Sequence, residues 1–335
     1  MKGFIYNGPG NITMQEIPLP PCGDNDIIVK NLAAGICGSD INAYQHDGDS
    51  VYIFKGFEFG HETVSEVVEV GKNVEGIQVG DRVYPYPIFA KDDRKRPATV
   101  GGFSEYVHIP NCRLNWSVFK VDDTISNKAA AMIEPFTVGG HSAKICQPGP
   151  GKKAMVFGGG IIGMSAAITL HYLGCEKVMV VNRSTYRLDK AAALGFATCS
   201  PVKEDLKAKA IEYFGKSFGI AGEVPDIDIF IDATGAADAL DNFVSLGKRG
   251  SMLSIVGVHH APRTIDLMKV TYGDLTIKGS PGYDFEDVAR AMEIMKSGKY
   301  DIESLVSHTF PLEQLEEAIQ TAAVSGASEK VLIEY

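Results

Sequence analysis

Residues Lys153–Arg187 read KAMVFGGGIIGMSAAITLHYLGCEKVMVVNRSTYR. Ala154–Phe157 is a short apolar run of buried-strand character. It stops at Gly158-Gly159-Gly160-Ile161-Ile162-Gly163, a match to G-x-G-x-x-G. An apolar helical pattern follows to Leu173, Gly174 ends it, and Lys177–Val181 begins a second strand. Strand, glycine turn, helix, strand is the context in which this motif reads as a dinucleotide site. Glycines let the backbone approach a pyrophosphate, and the helix N-terminus offers it N–H groups and the positive end of a dipole. Gly158, Gly160, Ile161, Ile162 and Gly163 are the candidate contacts. Without its strands and helix, the same motif is only a tight turn.

The end of the second strand bears on which nucleotide. A site for the unphosphorylated dinucleotide places an acid there, about 20 residues past the glycines, to hold the ribose 2′-OH. This chain has Asn182, Arg183, Ser184 and, one helical turn on, Arg187. Asn182 does not repel a 2′-phosphate, and a charge-assisted contact from Arg183 is worth about 1.5–3 kcal/mol, roughly ten- to a hundredfold in affinity. The expectation is NADP(H) in preference to NAD(H).

Outward from this stretch, 335 residues suffice for two domains of ordinary size. The apolar content of 45% and charged content of 22% are those of a globular protein. A net charge of −10 argues against nucleic acid or an anionic membrane as main partner. No apolar run is long enough to span a bilayer, and the N-terminus turns polar too early for a signal peptide. The cysteines at 22, 37, 112, 146, 175 and 199 are scattered without a C-x-x-C, which fits reduced thiols and a cytoplasmic location.

Before the glycine motif, residues 2–6, 11–17 and 26–34 have strand character, broken by Asn7-Gly8-Pro9-Gly10 and Pro18-Leu19-Pro20-Pro21. Gly35-Ile36-Cys37-Gly38-Ser39-Asp40 turns into a short helix, and Gly60-His61-Glu62 opens a strand over 63–70. Short strands with frequent glycines predict a β-rich first domain of barrel type. After the motif, 227–231 and 251–256 read as buried strands, and 285–295 and 312–322 as amphipathic helices.

GICGSD, GHE, VGDRV (Val79–Val83), GGFSEYV (Gly101–Val107), EPFTVGGHSA (Glu134–Ala143) and the glycine motif stand in one order along the chain. DATG (Asp232–Gly235), IVG (Ile255–Gly257), IKGS (Ile277–Ser280) and the terminal KVLIEY follow. In this succession the chain resembles the zinc-dependent medium-chain dehydrogenase/reductase family, almost from end to end. The nearest flavours are the sorbitol-type polyol dehydrogenases and the bacterial NADP-dependent secondary alcohol dehydrogenases. The resemblance implies an α/β fold: a GroES-like catalytic domain over 1–138, completed by 283–335, and a doubly wound Rossmann domain over 139–282. Thr234 and Val256 join the nucleotide contacts on that basis. The site is expected in the cleft between domains, at the carboxyl ends of the Rossmann strands.

The family pattern puts a catalytic zinc on Cys37, His61 and a carboxylate. Three protein ligands and an open position are what zinc catalysis needs. A lone cysteine is more often a small core residue, and a lone histidine a satisfied one. Glu62 and Glu134 compete for the third place. In a strand Glu62 points away from His61, so it suits either a role behind the ligands or a site with irregular backbone. Glu134 precedes Pro135, which favours extended backbone. The reading is Cys37, His61 and Glu134, with Glu62 an alternate or exchanging ligand. Tyr84–Ser104 contains no cysteine, so the structural zinc of many relatives is not expected, and the charged segment Lys91–Arg96 is left to packing. Asn42 cannot titrate and so cannot be the histidine relay found in some relatives; His46 and Glu62 are substitutes.

The implied reaction is reversible hydride transfer between NADP(H) and a secondary alcohol/ketone pair, with Ser39 placed to take the alcohol proton. A polyol, sugar or sugar phosphate is the expected substrate class, with Tyr44, Glu105 and His141 as polar residues facing the cleft. The alternatives are a zinc-free quinone or enoyl reductase on the same fold and a non-enzymatic NADPH-binding protein. The resemblance also implies a homo-oligomer, a dimer or tetramer, whose sheet edge comes from Ser251–Gly257 or the segment toward Ile277.

Overall fold

The glycine-punctuated N-terminal part folds as β1 (Lys2–Gly8), β2 (Asn11–Glu16), β3 (Ile27–Gly35), β4 (Phe57–Glu58), β5 (Glu62–Val70), β6 (Arg82–Pro85), β7 (Tyr106–Ile109) and β8 (Val118–Lys120). Among the described residues, short helices accompany them: α1 (Gly38–Gln45), α2 (Pro87–Ala90) and, after β8, α3 (Asn127–Ala130). The computed structural model describes residues 1–91, 100–220, 222–324 and 326–335. Beyond Lys91, the charged segment ending at Arg96 lies outside the described residues.

α4 (Ile133–Lys144) leads into the second body. Glu134 and Pro135 stand inside its first turn, not in extended backbone before it as the sequence reading had it. The N–H that proline lacks has no intrahelical acceptor in a first turn, so the ring is tolerated there. β9 (Lys153–Phe157), α5 (Ile161–Tyr172), β10 (Lys177–Val181), α6 (Thr185–Ala193), β11 (Ala197–Cys199) and α7 (Leu206–Phe214) follow. β12 (Lys216–Gly219) and β13 (Gly222–Pro225) form a separate hairpin. β14 (Ile229–Asp232), α8 (Ala237–Leu246), β15 (Met252–Ile255), α9 (Leu267–Gly273), β16 (Thr276–Gly279) and α10 (Phe285–Lys296) complete the set. Six strands make one parallel sheet in the order β11-β10-β9-β14-β15-β16. The order reverses at β9, the strand that ends in the glycine turn, as in a doubly wound nucleotide fold. α5 is apolar on every side and buried from Gly163 to Leu170, as a core helix must be. Met155, Met179, Phe230, Phe243 and Leu253 fill one face of the sheet.

The chain then adds β17 (Val306–Pro311), α11 (Leu315–Ala323) and β18 (Lys330–Glu334) to the first body. β18 lies between β17 and β3, giving the order β17-β18-β3-β5-β6-β8 with β7 also on β3; β2-β1-β4 form a smaller sheet. Phe4, Tyr6, Phe59, Phe103, Leu315 and Ile333 bury one core there, and Ile27, Val67, Val83 and Val107 a second.

By internal contacts the first body is Met1–Glu134 with Ile302–Tyr335, and the second is Pro135–Asp301. Among the described residues no helix is long and apolar enough to cross a membrane. Met252–Ile255 is an interior strand and Thr276–Gly279 the edge. Ser251–Gly257 therefore cannot supply a free sheet edge, because hydrogen-bonded neighbours flank it on both sides.

Candidate active site

Four segments of the first body converge. β3 ends at Gly35, and Cys37 stands just before α1 as its N-cap. His61 precedes β5, Glu62 is its first residue, and Lys330 opens β18. One ligand atom from each of Cys37, His61 and Glu62 lies within 4.8 Å of the others. Strand alternation would turn Glu62 away from His61, and the backbone here is the irregular alternative. Gly60 has φ +87°, which takes His61 out of the strand before alternation begins, so both side chains serve the same place. A Cβ on Gly60 would also meet the Phe103 ring at 2.8 Å.

The cluster is buried and acidic. His61 and Glu134 are each 8% exposed, Glu62 1%, Asp40 0% and Lys330 2%. Asp40 Oδ2 accepts from the Cys37 N–H at 2.8 Å, fixing the turn that carries the sulfur. Burial pushes the Asp40 carboxyl up to about 6. Burial opposes a charge on His61, yet the Cys37 sulfur, Glu134 and Asp40 outweigh it and hold the imidazole well above its ordinary value. Lys330 is likewise raised: burial acts against its charge, and Glu62, Cys37 and Glu134 act for it. Its ammonium pairs with Glu62 and donates to the Ile36 carbonyl at 2.7 Å. Among the described residues, His61 Nδ1, Asp40 Oδ1 and Ser39 Oγ are buried without a hydrogen-bond partner. Buried polar atoms left in this state mark a place for something else. A thiol, an imidazole and carboxylates around a negative centre are the donors that a zinc ion takes. Sequence reasoning missed Lys330 and Asp40. A charged residue leading the apolar run KVLIEY, and an acid three residues past Cys37 at a helix start, were the available signals.

The other thiols differ. Burial pushes Cys112 and Cys199 up to about 11 and Cys146 to about 12. Buried, protonated cysteines of this kind are core residues, and none of the cysteines is in a disulfide.

The remaining polar candidates have partners of their own. Asn42 Nδ2 donates to the Asp47 carbonyl at 3.0 Å, and His46 is exposed at the end of α1. The Tyr44 hydroxyl donates to Glu316 on α11. Glu105 accepts from the Lys2 N–H at 2.7 Å. His141 belongs to a second cluster, in the second body, with Asp284 and Asp287. His141 Nδ1 lies 2.6 Å from Asp287 Oδ2, and Arg290 donates to Asp287 Oδ1 at 2.6 Å. Lys144 reaches Asp284 at 3.1 Å and Glu286 at 3.2 Å.

At the carboxyl edge of the parallel sheet, Gly160 is the N-cap of α5 and Ile161 and Ile162 begin it. A Cβ on Gly163 would lie 1.9 Å from the Gly158 carbonyl, so only glycine allows this helix-to-strand approach. Asn182 Oδ1 accepts from the Gly159 N–H at 3.2 Å. Ser184 caps α6 by accepting from the Arg187 N–H. Arg183 pairs with Asp238 at 2.8 Å. The Arg187 guanidinium lies beside the glycine turn, 3.4 Å from where a Cβ on Gly160 would be. Thr234 N and Oγ1 donate to Asp232 Oδ1 at 2.8 and 2.7 Å, and Val256 N donates to the Asp232 carbonyl at 2.9 Å.

Fold and site define a zinc-type medium-chain dehydrogenase, and the chain belongs to that alcohol/polyol family of oxidoreductases acting on CH–OH donors. The model of the alcohol dehydrogenase GroES-like domain matches residues 23–123, and that of the zinc-binding dehydrogenases residues 162–297. L-threonine 3-dehydrogenase of Pectobacterium carotovorum is 29% identical, with 97% of this chain and 96% of the relative covered. Sorbitol dehydrogenase of Mus musculus is 28% identical, with 98% and 94% covered. The crystal structure of 2R,3R-butanediol dehydrogenase from Bacillus subtilis superposes with a TM-score of 0.87 at 26% identity, covering 100% and 99% of the two chains.

Proposed function

We propose that this chain oxidises, reversibly, a secondary alcohol that carries a neighbouring polar group, with NADP(H) preferred over NAD(H) and one zinc per chain. The convergence of Cys37, His61 and Glu62 carries the reading. Threonine, sorbitol and 2,3-butanediol, named in the relatives, share that chemistry: a secondary carbinol beside an amine-bearing or hydroxylated carbon. A polyol, sugar or sugar phosphate is the substrate class favoured.

Cys37, His61 and a carboxylate hold the metal. Glu62 and Glu134 offer that carboxylate: Glu134 is taken as the direct ligand, and Glu62, which lies with Cys37 and His61 but pairs with Lys330, as the alternate or exchanging one. Zinc held there would supply Lewis-acid polarisation of the alcohol oxygen, and a bound nicotinamide would supply the hydride acceptor. Ser39, whose buried hydroxyl has no partner among the described residues, accepts the alcohol's proton as it passes its own hydroxyl proton on toward solvent, so it relays the proton and does not keep it. Asp40 keeps the Cys37 turn in place. On the nucleotide side, the glycine turn and the start of α5 cradle the pyrophosphate. The absence of an acid at Asn182, with Arg183 and Arg187 following, favours a phosphorylated ribose.

Association of copies through β16 is part of the reading. It is an edge strand. Val258, Leu267, Met268 and Tyr272, which precede it in sequence, are 72%, 67%, 59% and 73% exposed, and an exposed sheet edge needs covering. The scattered thiols fit a reducing compartment such as the cytosol.

The test is turnover of a panel of polyols, sugar alcohol phosphates, β-hydroxy amino acids and vicinal diols with each cofactor, before and after chelation. Activity with at least one vicinally substituted secondary alcohol, lost on chelation and restored by zinc, is expected. Full activity after complete metal removal would overturn the zinc reading.

A further inference from the structure

We propose that Asp238 limits how strongly this chain distinguishes a 2′-phosphorylated adenosine from an unphosphorylated one, by holding the Arg183 guanidinium. The inference rests on the nucleotide reading above and adds a residue that no motif contains. Arg183 follows β10, and Asp238 stands in the first turn of α8, the helix after β14. β10 and β14 are the two neighbours of β9. Their ion pair, 2.8 Å between Arg183 Nη2 and Asp238 Oδ2, therefore reaches across the carboxyl end of β9, where the glycine turn begins. This is the switch point at which a doubly wound sheet receives its nucleotide.

The pair is not there for stability. Its side chains are 69% and 50% exposed, and exposed pairs contribute little to folding. Its consequence is local charge. A 2′-phosphate coming to Arg183 meets a guanidinium already balanced by a carboxylate, and that carboxylate repels the phosphate. Arg187 is placed differently: its guanidinium lies against Gly160 and its Cβ against Gly159, on the turn itself. So Arg187 gives the larger share of phosphate recognition, and Arg183 contributes fully only when Asp238 is neutralised. The ten- to hundredfold role that sequence alone assigns to Arg183 is reduced by a residue 55 positions away.

The experiment is a double-mutant cycle read by equilibrium binding on the whole protein, without turnover. The probes are NADP⁺, NAD⁺, 2′,5′-ADP and 5′-AMP at low and at physiological salt. Asp238→Asn keeps shape and removes charge. It should tighten NADP⁺ and 2′,5′-ADP by about two- to fivefold, less at high salt, and leave NAD⁺ and 5′-AMP unchanged. In an Arg183→Met background the same change should do nothing. Arg187→Met should weaken 2′,5′-ADP more than Arg183→Met does. Equal effects of Asp238→Asn on both classes of nucleotide, no effect on either, or the same gain without Arg183 would each overturn the proposal. If the wild type binds 2′,5′-ADP no tighter than 5′-AMP, the NADP(H) preference itself is wrong; the shift caused by Asp238→Asn is still read against that baseline.

Discussion

Two histidine–acid clusters of similar composition end up in opposite electrostatic states. Around His61, the groups Cys37, Asp40, Glu62 and Glu134 face a single buried ammonium, Lys330, and buried polar atoms lack partners. Around His141, Asp284 and Asp287 meet Lys144 and Arg290, and both oxygens of buried Asp287 are engaged. Proximity of His, Cys, Asp and Glu does not identify a metal centre. A deficit of positive charge with unsatisfied polar atoms is what supports the proposal for the first. The first cluster is the one proposed to receive a cation, and the second clasps α4 to α10.

The largest contrast expected is between Cys37→Ser and Asp287→Ala. The first should lower activity to background and abolish zinc retention while the protein stays folded. The second should keep the metal but cost about 3–5 kcal/mol of stability, because it leaves Arg290 and His141 beside a buried gap. Chemical denaturation and metal analysis of both variants check this; a stable Asp287→Ala that had lost zinc would reverse the assignment.

Next in size is the choice between the two carboxylates. Glu134→Gln should lose zinc to a chelator faster than Glu62→Gln, by about ten- to a hundredfold in affinity, the scale of a disturbed metal shell. The opposite order would make Glu62 the direct ligand and Lys330 its orienting partner.

The smallest effect expected is a pH dependence of the clasp. Burial acts to raise the Asp284 carboxyl, but Lys144 and the Asp287 backbone N–H hold it below the usual range. A depressed acid contributes stability that is present above its unfolded pKa, about 3.9, and is lost as pH falls through the lower folded value. Asp284→Asn should therefore lower stability at neutral pH, leave the acid end of the curve little changed, and so flatten the acid limb between them. Identical acid limbs would remove Asp284 from the clasp.

What was legible in the sequence was whatever a short window contains. The βαβ unit over Lys153–Val181 was readable because strand, glycines and helix are contiguous. The pairing of Cys37 with His61 was legible only as a family spacing. What escaped was set by single backbone angles or by distant partners. The left-handed Gly60 overrode strand alternation at Glu62. A first-turn position made Pro135 helical. Lys330 donates to Ile36, 294 residues away, and Asp238 reaches Arg183 across two strand connections. Tyr44, Glu105 and His141 looked available for substrate because their partners Glu316, Lys2 and Asp287 are remote in sequence.

The most direct test of the central claim is elemental analysis of purified wild type, Cys37→Ser and His141→Ala, each dialysed against the same metal-free buffer. The account predicts about one zinc per chain in wild type and His141→Ala and essentially none in Cys37→Ser, the arithmetic of a single catalytic site. About two zinc per chain in wild type, or zinc kept by Cys37→Ser and lost by His141→Ala, would contradict it.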